Sequence, residues 1–125
     1  MLSRILVIGG TGMIGQYLVT ASLDAGHPTA MLVRSGTAID AGKAKLLEYF
    51  KSRGASIVYG DINDHEGLVA AIKQADVVIS AVGHSSPEQV ESQLKIVAAI
   101  QEAGGVKVYM YAIVSSELRF IIYYY

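Results

Sequence analysis

Short apolar runs and longer amphipathic segments alternate along most of this chain. Ile5-Leu6-Val7-Ile8, Ala30-Met31-Leu32-Val33, Ile57-Val58-Tyr59 and Val77-Val78-Ile79 carry no polar alternation, the pattern of parallel strands covered on both faces. Between them run segments with helical spacing. The first carries Ile14, Leu18, Ala21 and Ala25; the second Leu46, Leu47 and Phe50; the third Leu68, Val69 and Ile72; the fourth Val90, Leu94, Val97 and Ala98, each read as an inward stripe.

Helix punctuation agrees with the periodicity. Ser86-Pro87-Glu88-Gln89 offers an N-cap, a proline at the first helical position and a capping-box partner three residues after the cap. Asn63 and Glu66 offer a weaker box. Gly26, Gly54 and Gly104 each follow a helical run where a left-handed residue is wanted. Strands alternating with helices predict an α/β protein with a doubly wound parallel sheet and right-handed crossovers. Residues 106–114 can add a fifth strand, giving the order 3-2-1-4-5.

Composition narrows the function classes. A length of 125 residues, 52% of them hydrophobic, suits one domain with its own core and excludes a disordered chain. Ten basic against eleven acidic residues leave a net charge of −1, so nucleic-acid binding has no electrostatic footprint. The chain has no cysteine, which removes disulfides, thiolate catalysis and the common zinc sites, and fits a reducing compartment. No metal site is expected. The opening Met1-Leu2-Ser3-Arg4 runs straight into a strand and does not read as a cleavable signal. No stretch reaches the ~20 apolar residues of a membrane helix. The cytoplasm is the expected location, and no internal repeat is present.

Candidate chemistry begins at Gly9-Gly10-Thr11-Gly12-Met13-Ile14-Gly15, between the first strand and the first helix. Gly9, Gly12 and Gly15 form GxxGxxG; Gly10, Gly12 and Gly15 form GxGxxG. An early glycine permits the tight turn, Gly12 lets backbone approach a pyrophosphate, and Gly15 permits close packing of the helix, whose positive end receives the phosphate charge. In a strand–turn–helix context this is the fingerprint of a Rossmann-type dinucleotide fold. Counting 19 residues from Gly15 reaches Arg34, where an NAD-binding unit would carry an acid for the ribose 2′-hydroxyl. A guanidinium there suits a 2′-phosphate, and Lys43 can add a second positive charge. NADP(H) is therefore the preferred cofactor, against a reading of Arg34 as a solvated surface residue and of Lys43 as an ordinary helix charge.

Two more strand ends face the ligand side of such a sheet. Gly60-Asp61-Ile62 is placed to meet an adenine edge, although Asp61 also reads as a turn or capping carboxylate. Ser80-Ala81-Val82-Gly83-His84 is placed to pass under the cofactor. An ordinary imidazole titrates in the range an acid/base needs, but His84 has no partner in sequence, so a plain loop histidine is the better reading. His27 reads as a turn residue beside Pro28, and His65 as a first-turn helix residue. None of the eight tyrosines has a lysine four residues on, so the Tyr-x-x-x-Lys pair of common short-chain dehydrogenases is missing. No Ser/His/Asp order or carboxylate pair replaces it, and no catalytic residue is assigned.

Five separated strings then match a known family in order and spacing: Ser3 through Gly15, Ala25-Gly26-His27-Pro28-Thr29, Leu32-Val33-Arg34, Gly60 through Glu66, and Asp76 through His84. They resemble the plant isoflavone reductase-like group, atypical short-chain reductases with an NmrA-like domain, which includes phenylcoumaran benzylic ether and pinoresinol-lariciresinol reductases. The resemblance covers residues 3 to about 107. It implies NADPH-dependent reduction of phenylpropanoid-derived substrates, with a downstream lysine handling the proton. It also implies that Gly9, Thr11, Gly12, Met13, Ile14 and Gly15 hold the pyrophosphate, and that Arg34 and Lys43 hold the 2′-phosphate. Met13 departs from the aromatic residue often found at that place.

After Val106-Lys107 the resemblance stops. Relatives continue into a string resembling Phe-Phe-Pro-Ser-Glu-Phe-Gly and then into the substrate region; Ser116-Glu117-Leu118 echoes that string four residues late and carries no role. The expected organisation is an NADP-binding domain at 1–107 and a divergent tail at 108–125, in a truncated gene product arising from a retained intron or frameshift. The fifth strand's outer edge is expected to be bare, and the apolar tail to be an aggregation hazard. A noncatalytic NADP(H)-binding or redox-sensing module, or a nonfunctional fragment, are the alternatives to a reductase.

Overall fold

The computed structural model of the chain describes residues 2–82, 86–114 and 118–125. Six strands form one sheet in the order β3-β2-β1-β4-β5-β6. They are β1 (Ile5–Ile8), β2 (Thr29–Val33), β3 (Ser56–Tyr59), β4 (Val77–Ser80), β5 (Val108–Val114) and β6 (Leu118–Tyr124). The first five are mutually parallel and in the expected order; β6 pairs antiparallel with β5. Four helices join them: α1 (Met13–Asp24), α2 (Ala41–Ser52), α3 (His65–Ile72) and α4 (Pro87–Ala103). A 3-10 turn at Ser35–Ile39, which the periodicity does not foretell, links β2 to α2.

The strands that lack polar alternation are buried on both sides where they lie inside the sheet. Leu6 and Ile8 of β1 join a core with Leu68 and Ile72 of α3 and Ile96 and Ile100 of α4. Val7, between them in sequence, faces the other way into a core with Val19 of α1 and Leu47 and Phe50 of α2. This is the period-two alternation of a strand with apolar partners on each side. Each such fully buried side chain contributes about 1.5–3 kcal/mol relative to exposure. At the sheet edge the same reading fails, because β3 has half-buried Ile57 and Val58 and an exposed Tyr59.

Two helices turn a different stripe inward from the one the spacing suggests. In α1 the buried residues are Gly15, Val19 and Ser22, while Ala21 and Ala25 are exposed. In α4 they are Gln93, Ile96, Ala99 and Ile100, while Val90 and Leu94 are 48% and 67% exposed. Both helices carry apolar residues on more than one side, so the choice falls to residues that the apolar count ignores: a glycine that must face in, and a glutamine that finds partners inside.

Helix ends follow their sequence signals closely. Ser86 accepts from the Gln89 N–H at 3.2 Å, with Pro87 beginning α4, and Asp40 accepts from the N–H groups of Gly42 and Lys43 at 3.0 and 3.1 Å. The weaker box expected at Asn63 and Glu66 is displaced by one residue: Asp64 is the cap, accepting from Gly67 N–H at 3.2 Å. The Asn63 side chain instead accepts from Lys95 Nζ at 2.6 Å. Gly26, Gly54 and Gly104 take positive φ values of 81°, 101° and 78°. His27 Nδ1 accepts from Ser3 N–H at 3.0 Å, so its turn position also ties down the chain before β1.

The bare edge expected at β5 is filled. β6 runs back along it, register Val108↔Tyr124 through Val114↔Leu118, because the β-branched and aromatic tail meets an open ladder seven residues long. Tyr123 also stacks on Tyr109, with centroids 6.0 Å apart. The exposed edge thereby moves out to β6. Ser116 and Glu117, the echo of the family string, lie outside the described residues. Among the described residues no helix is long and apolar enough to cross a membrane.

Two polar clamps hold the sheet. At one end Asp76 accepts from Arg4 N–H at 2.9 Å and from its guanidinium at 3.1 and 3.3 Å, while its carbonyl accepts from Lys107 N–H at 2.8 Å. The strands β1, β4 and β5 are thus joined at their starts. At the other end Tyr109 of β5 donates to Gln93 Oε1 of α4, and Gln93 Nε2 donates to Val82 O at 2.9 Å. Burial raises the Tyr109 phenol above its ordinary value, and the Ser80 side chain beside it opposes the shift.

Each clamp makes a measurable prediction. The hydrogen bonds from the Arg4 side chain, then from its backbone N–H, lower the Asp76 carboxyl to about 2. A depressed carboxyl stabilises the fold above its unfolded value and loses that contribution as pH falls through the folded one, so the window is roughly pH 4 down to pH 2. The difference in Tm between the wild type and Asp76→Asn should be widest above that window and close toward its lower end. Gln93→Leu strands the Val82 carbonyl and leaves the Tyr109 hydroxyl only the Ser80 side chain, and should cost about 2 kcal/mol in chemical denaturation. Tyr109→Phe, which leaves the Val82 bond in place, should cost about 1 kcal/mol.

Candidate functional site

The chain leaves β1 toward β2 and β3, then crosses back to β4, so the strand order reverses beside β1. A crevice outside the carboxyl ends of the strands is expected there. A cleft of about 620 Å³ occupies that place, lined by Gly9 and Thr11 after β1, Arg34 after β2, Asp61 after β3 and Val82 after β4. Its volume lies within the ~300–1,000 Å³ range of small-molecule sites.

The glycine turn is built by close contacts. Gly9 has φ +83°, and a Cβ there would meet Ala81 C at 3.0 Å. A Cβ on Gly15 would lie 2.0 Å from Gly9 O and 2.7 Å from Gly10 Cα. The helix therefore rests directly on the turn rather than on the strand itself. Gly12 differs, since a Cβ there would have only Gly9 O within 4 Å, at 3.5 Å. The turn is held by Gly12 N–H to Gly9 O at 3.2 Å and by Gln16 Nε2 to Thr11 O at 3.0 Å.

Three of the four helices receive a side-chain cap, from Asp40, Asp64 and Ser86; α1 begins at Gly12 with none. Among the described residues no protein acceptor meets the backbone N–H of Met13, Ile14 or Gly15. An uncapped helix start keeps its donors and its partial positive charge for an outside anion. Residues 12–15 do not line the large cleft themselves; they form the first turn of α1 immediately after Thr11. The Met13 side chain, 77% exposed, lines a separate groove with Tyr17, Leu46 and Tyr49. Ile14 is half-buried.

A recess of about 400 Å³ adjoins the cleft and gathers Arg34, Lys43, Thr37 and Asp61. Among the described residues neither Arg34 nor Lys43 enters an ion pair. The two carboxylates nearby have local work: Asp40 caps α2, and Asp61 accepts from Asn63 N–H at 2.9 Å. The turn reading of Asp61 thus holds, on a residue that also lines the cleft. His84 and Gly83 lie outside the described residues.

Some lining residues were not singled out by sequence reasoning. Ser35, Gly36 and Thr37 line the recess, and the small polar run after Arg34 was the signal for them. Glu88, Ser92 and Lys95 line the cleft from α4. Their i, i+4, i+7 spacing is a polar stripe, hidden when only apolar positions are counted.

Known proteins resemble this chain in sequence and fold. Residues 1–119 match the model of the NmrA-like family. Eugenol synthase 1 of Petunia hybrida is 56% identical over 105 residues, and phenylcoumaran benzylic ether reductase Betv6 of Betula pendula 55%; each alignment covers 84% of this chain and 33% of the relative. The solved structure of AtPrR2 with NADP+ and (+)pinoresinol is 47% identical with a TM-score of 0.78, over 86% of this chain and 35% of that one. The binary complex of leucoanthocyanidin reductase with NADPH from Vitis vinifera is 40% identical with a TM-score of 0.74, over 83% and 34%. The chain spans about a third of the length of the curated relatives it matches. With these motifs on this sheet, the chain belongs to the NmrA-like family, in its isoflavone reductase-like branch.

Proposed function

We propose that this chain is the cofactor-holding part of an NADPH-dependent reductase of phenylpropanoid-type compounds, and that it binds NADP(H). One observation carries the reading: two cations without ion pairs among the described residues, Arg34 and Lys43, line the same cleft as Thr11, which immediately precedes an uncapped helix start. The donors at residues 12–15 suit the pyrophosphate, with Gly9 and Thr11 shaping the turn that presents Met13 and Ile14. Arg34 and Lys43 suit the 2′-phosphate, the guanidinium through its planar fork and the ammonium as a point charge. Among the described residues, all those lining the cleft and its recess have numbers of 95 or below, in keeping with a cofactor unit at 1–107 and a tail at 108–125. AtPrR2 and the Vitis vinifera reductase, which carry NADP+ and NADPH in their solved structures, support the choice of cofactor.

Bound NADPH would supply a hydride. The protein's part is to seat the phosphates and orient the dinucleotide across the strand ends. The proton-handling lysine that the family resemblance implies belongs to the region beyond the matched third, so binding is assigned to this chain and turnover is not.

Calorimetric titration tests the reading. The wild type should prefer NADPH to NADH, and Arg34→Ala should erase that preference, a change of about tenfold to hundredfold. Gly12→Ala has room for its methyl group, so it should keep a normal Tm and lose on the order of tenfold in NADPH affinity. Gly15→Ala should fail to fold. Equal affinity for the two nucleotides, or none for either, would end the proposal. In a separate assay with NADPH and pinoresinol, no NADPH oxidation is expected; reproducible substrate-dependent oxidation would return a catalytic role to this chain.

A further inference from the structure

β6 has a backbone partner on one side, and the stacking of Tyr123 on Tyr109 covers only part of one of its faces. Among the described residues none from 119–125 belongs to either core, and Phe120, Ile121, Ile122, Tyr123 and Tyr124 are 38–79% exposed. Its inner ladder can be traced. Tyr125 N–H bonds Lys107 O, and with the register Tyr109↔Tyr123 and Tyr111↔Ile121 this puts residues 119, 121, 123 and 125 toward β5. Alternation then points the N–H and C=O groups of Phe120, Ile122 and Tyr124 to the outer edge. The edge carries no proline and no lysine, the usual devices against pairing.

We propose that this edge pairs with the same edge of a second copy of the chain, antiparallel, across a two-fold axis through Ile122. The sequence is self-complementary in that register. Ile122 meets its own symmetry mate, Phe120 meets Tyr124 of the other copy, and on the opposite face Ile121 meets Tyr123. Aromatic–aromatic and aromatic–aliphatic cross-strand pairs of this kind are the stabilising ones. About six new backbone hydrogen bonds form, two at each facing pair.

Charge selects the antiparallel direction. Arg119 is the one charged residue in 118–125; in this register it faces Tyr125 of the other copy, and the two arginines stand roughly 20 Å apart. In-register parallel pairing would set one arginine on the other. The two-fold arrangement is also closed, because it consumes both β6 edges and leaves only the four-residue β3 strands outermost.

Analytical ultracentrifugation of the full chain tests this, together with concentration-dependent amide exchange. A dimer is expected, with the Phe120, Ile122 and Tyr124 amides slowing as concentration rises. Ile122→Pro removes an outward N–H without touching the β5 ladder, and should give a monomer with unchanged circular dichroism and Tm. Phe120→Arg alone should weaken the dimer at least about tenfold. Adding Tyr124→Glu to it places opposite charges across the axis and should recover most of the loss. A chain that stays monomeric at hundreds of micromolar overturns the proposal, with apolar-dye binding by that monomer assigning the faces to another occupant. A dimer indifferent to Ile122→Pro, or open-ended polymers, overturn it equally.

Discussion

Everything at the site depends on an absence: the space beside the Gly9 carbonyl that a Cβ on residue 15 would fill at 2.0 Å. Gly9 turns the chain through a left-handed conformation, and its carbonyl comes to lie against the first turn of α1. Because residue 15 has no side chain, α1 settles onto that carbonyl instead of standing off from it. Gly10 completes the fit, since a Cβ there would press on Met31 at 3.0 Å and on Val19 at 3.2 Å. The helix, β1 and β2 are therefore brought to one point by contacts that only hydrogen atoms can fill. The direction of α1 follows, and with it the direction of its uncapped donors.

The two ends of the sheet meet different demands. Where β1, β4 and β5 begin, Arg4 and Asp76 lie at the surface, with side chains 58% and 24% exposed. Water can share the bonding there, and the ion pair serves mainly to align three strand starts. Where the strands end at the cleft, the carbonyl of Val82 takes a donor from inside the protein. Gln93 supplies it from α4, and Tyr109 in turn supports Gln93. A buried amide between a phenol and a carbonyl is satisfied at both ends, so it holds the backbone at Val82 without leaving an unpaired group. Among the described residues no buried side-chain nitrogen or oxygen lacks a partner.

The sheet order, the helix positions, the left-handed glycines and the Ser86 cap were legible in the sequence because each is set by local chemistry or by a period. What was misread is set by neighbours. The inward faces of α1 and α4 depend on Gly15 and Gln93, residues that an apolar count passes over. The cap of α3 moved from Asn63 to Asp64 because Lys95, thirty-two positions away, takes the Asn63 oxygen. At the site, the glycine turn, Arg34 and Lys43 could be read from spacing along one strand and helix. The polar face of α4 could not, since it reaches the cleft only through the crossover from β4.

β6 shows where that kind of reading stops. A strand without polar alternation describes the surroundings it suits, with apolar cover on both faces and a neighbour along each edge. β1, β2 and β4 have those surroundings because helices on both sides and strands on both flanks were built around them. β6 has the composition of an inner strand and the position of an outer one, a mismatch between local and global preference of the kind natural sequences mostly avoid. Tyr123 on Tyr109 satisfies part of it. The remainder is a set of apolar side chains and outward amides whose spacing is symmetric about Ile122. A symmetric surface of that kind is complementary first of all to itself, so the chemistry of the strand, more than its place in the fold, specifies what belongs beside it.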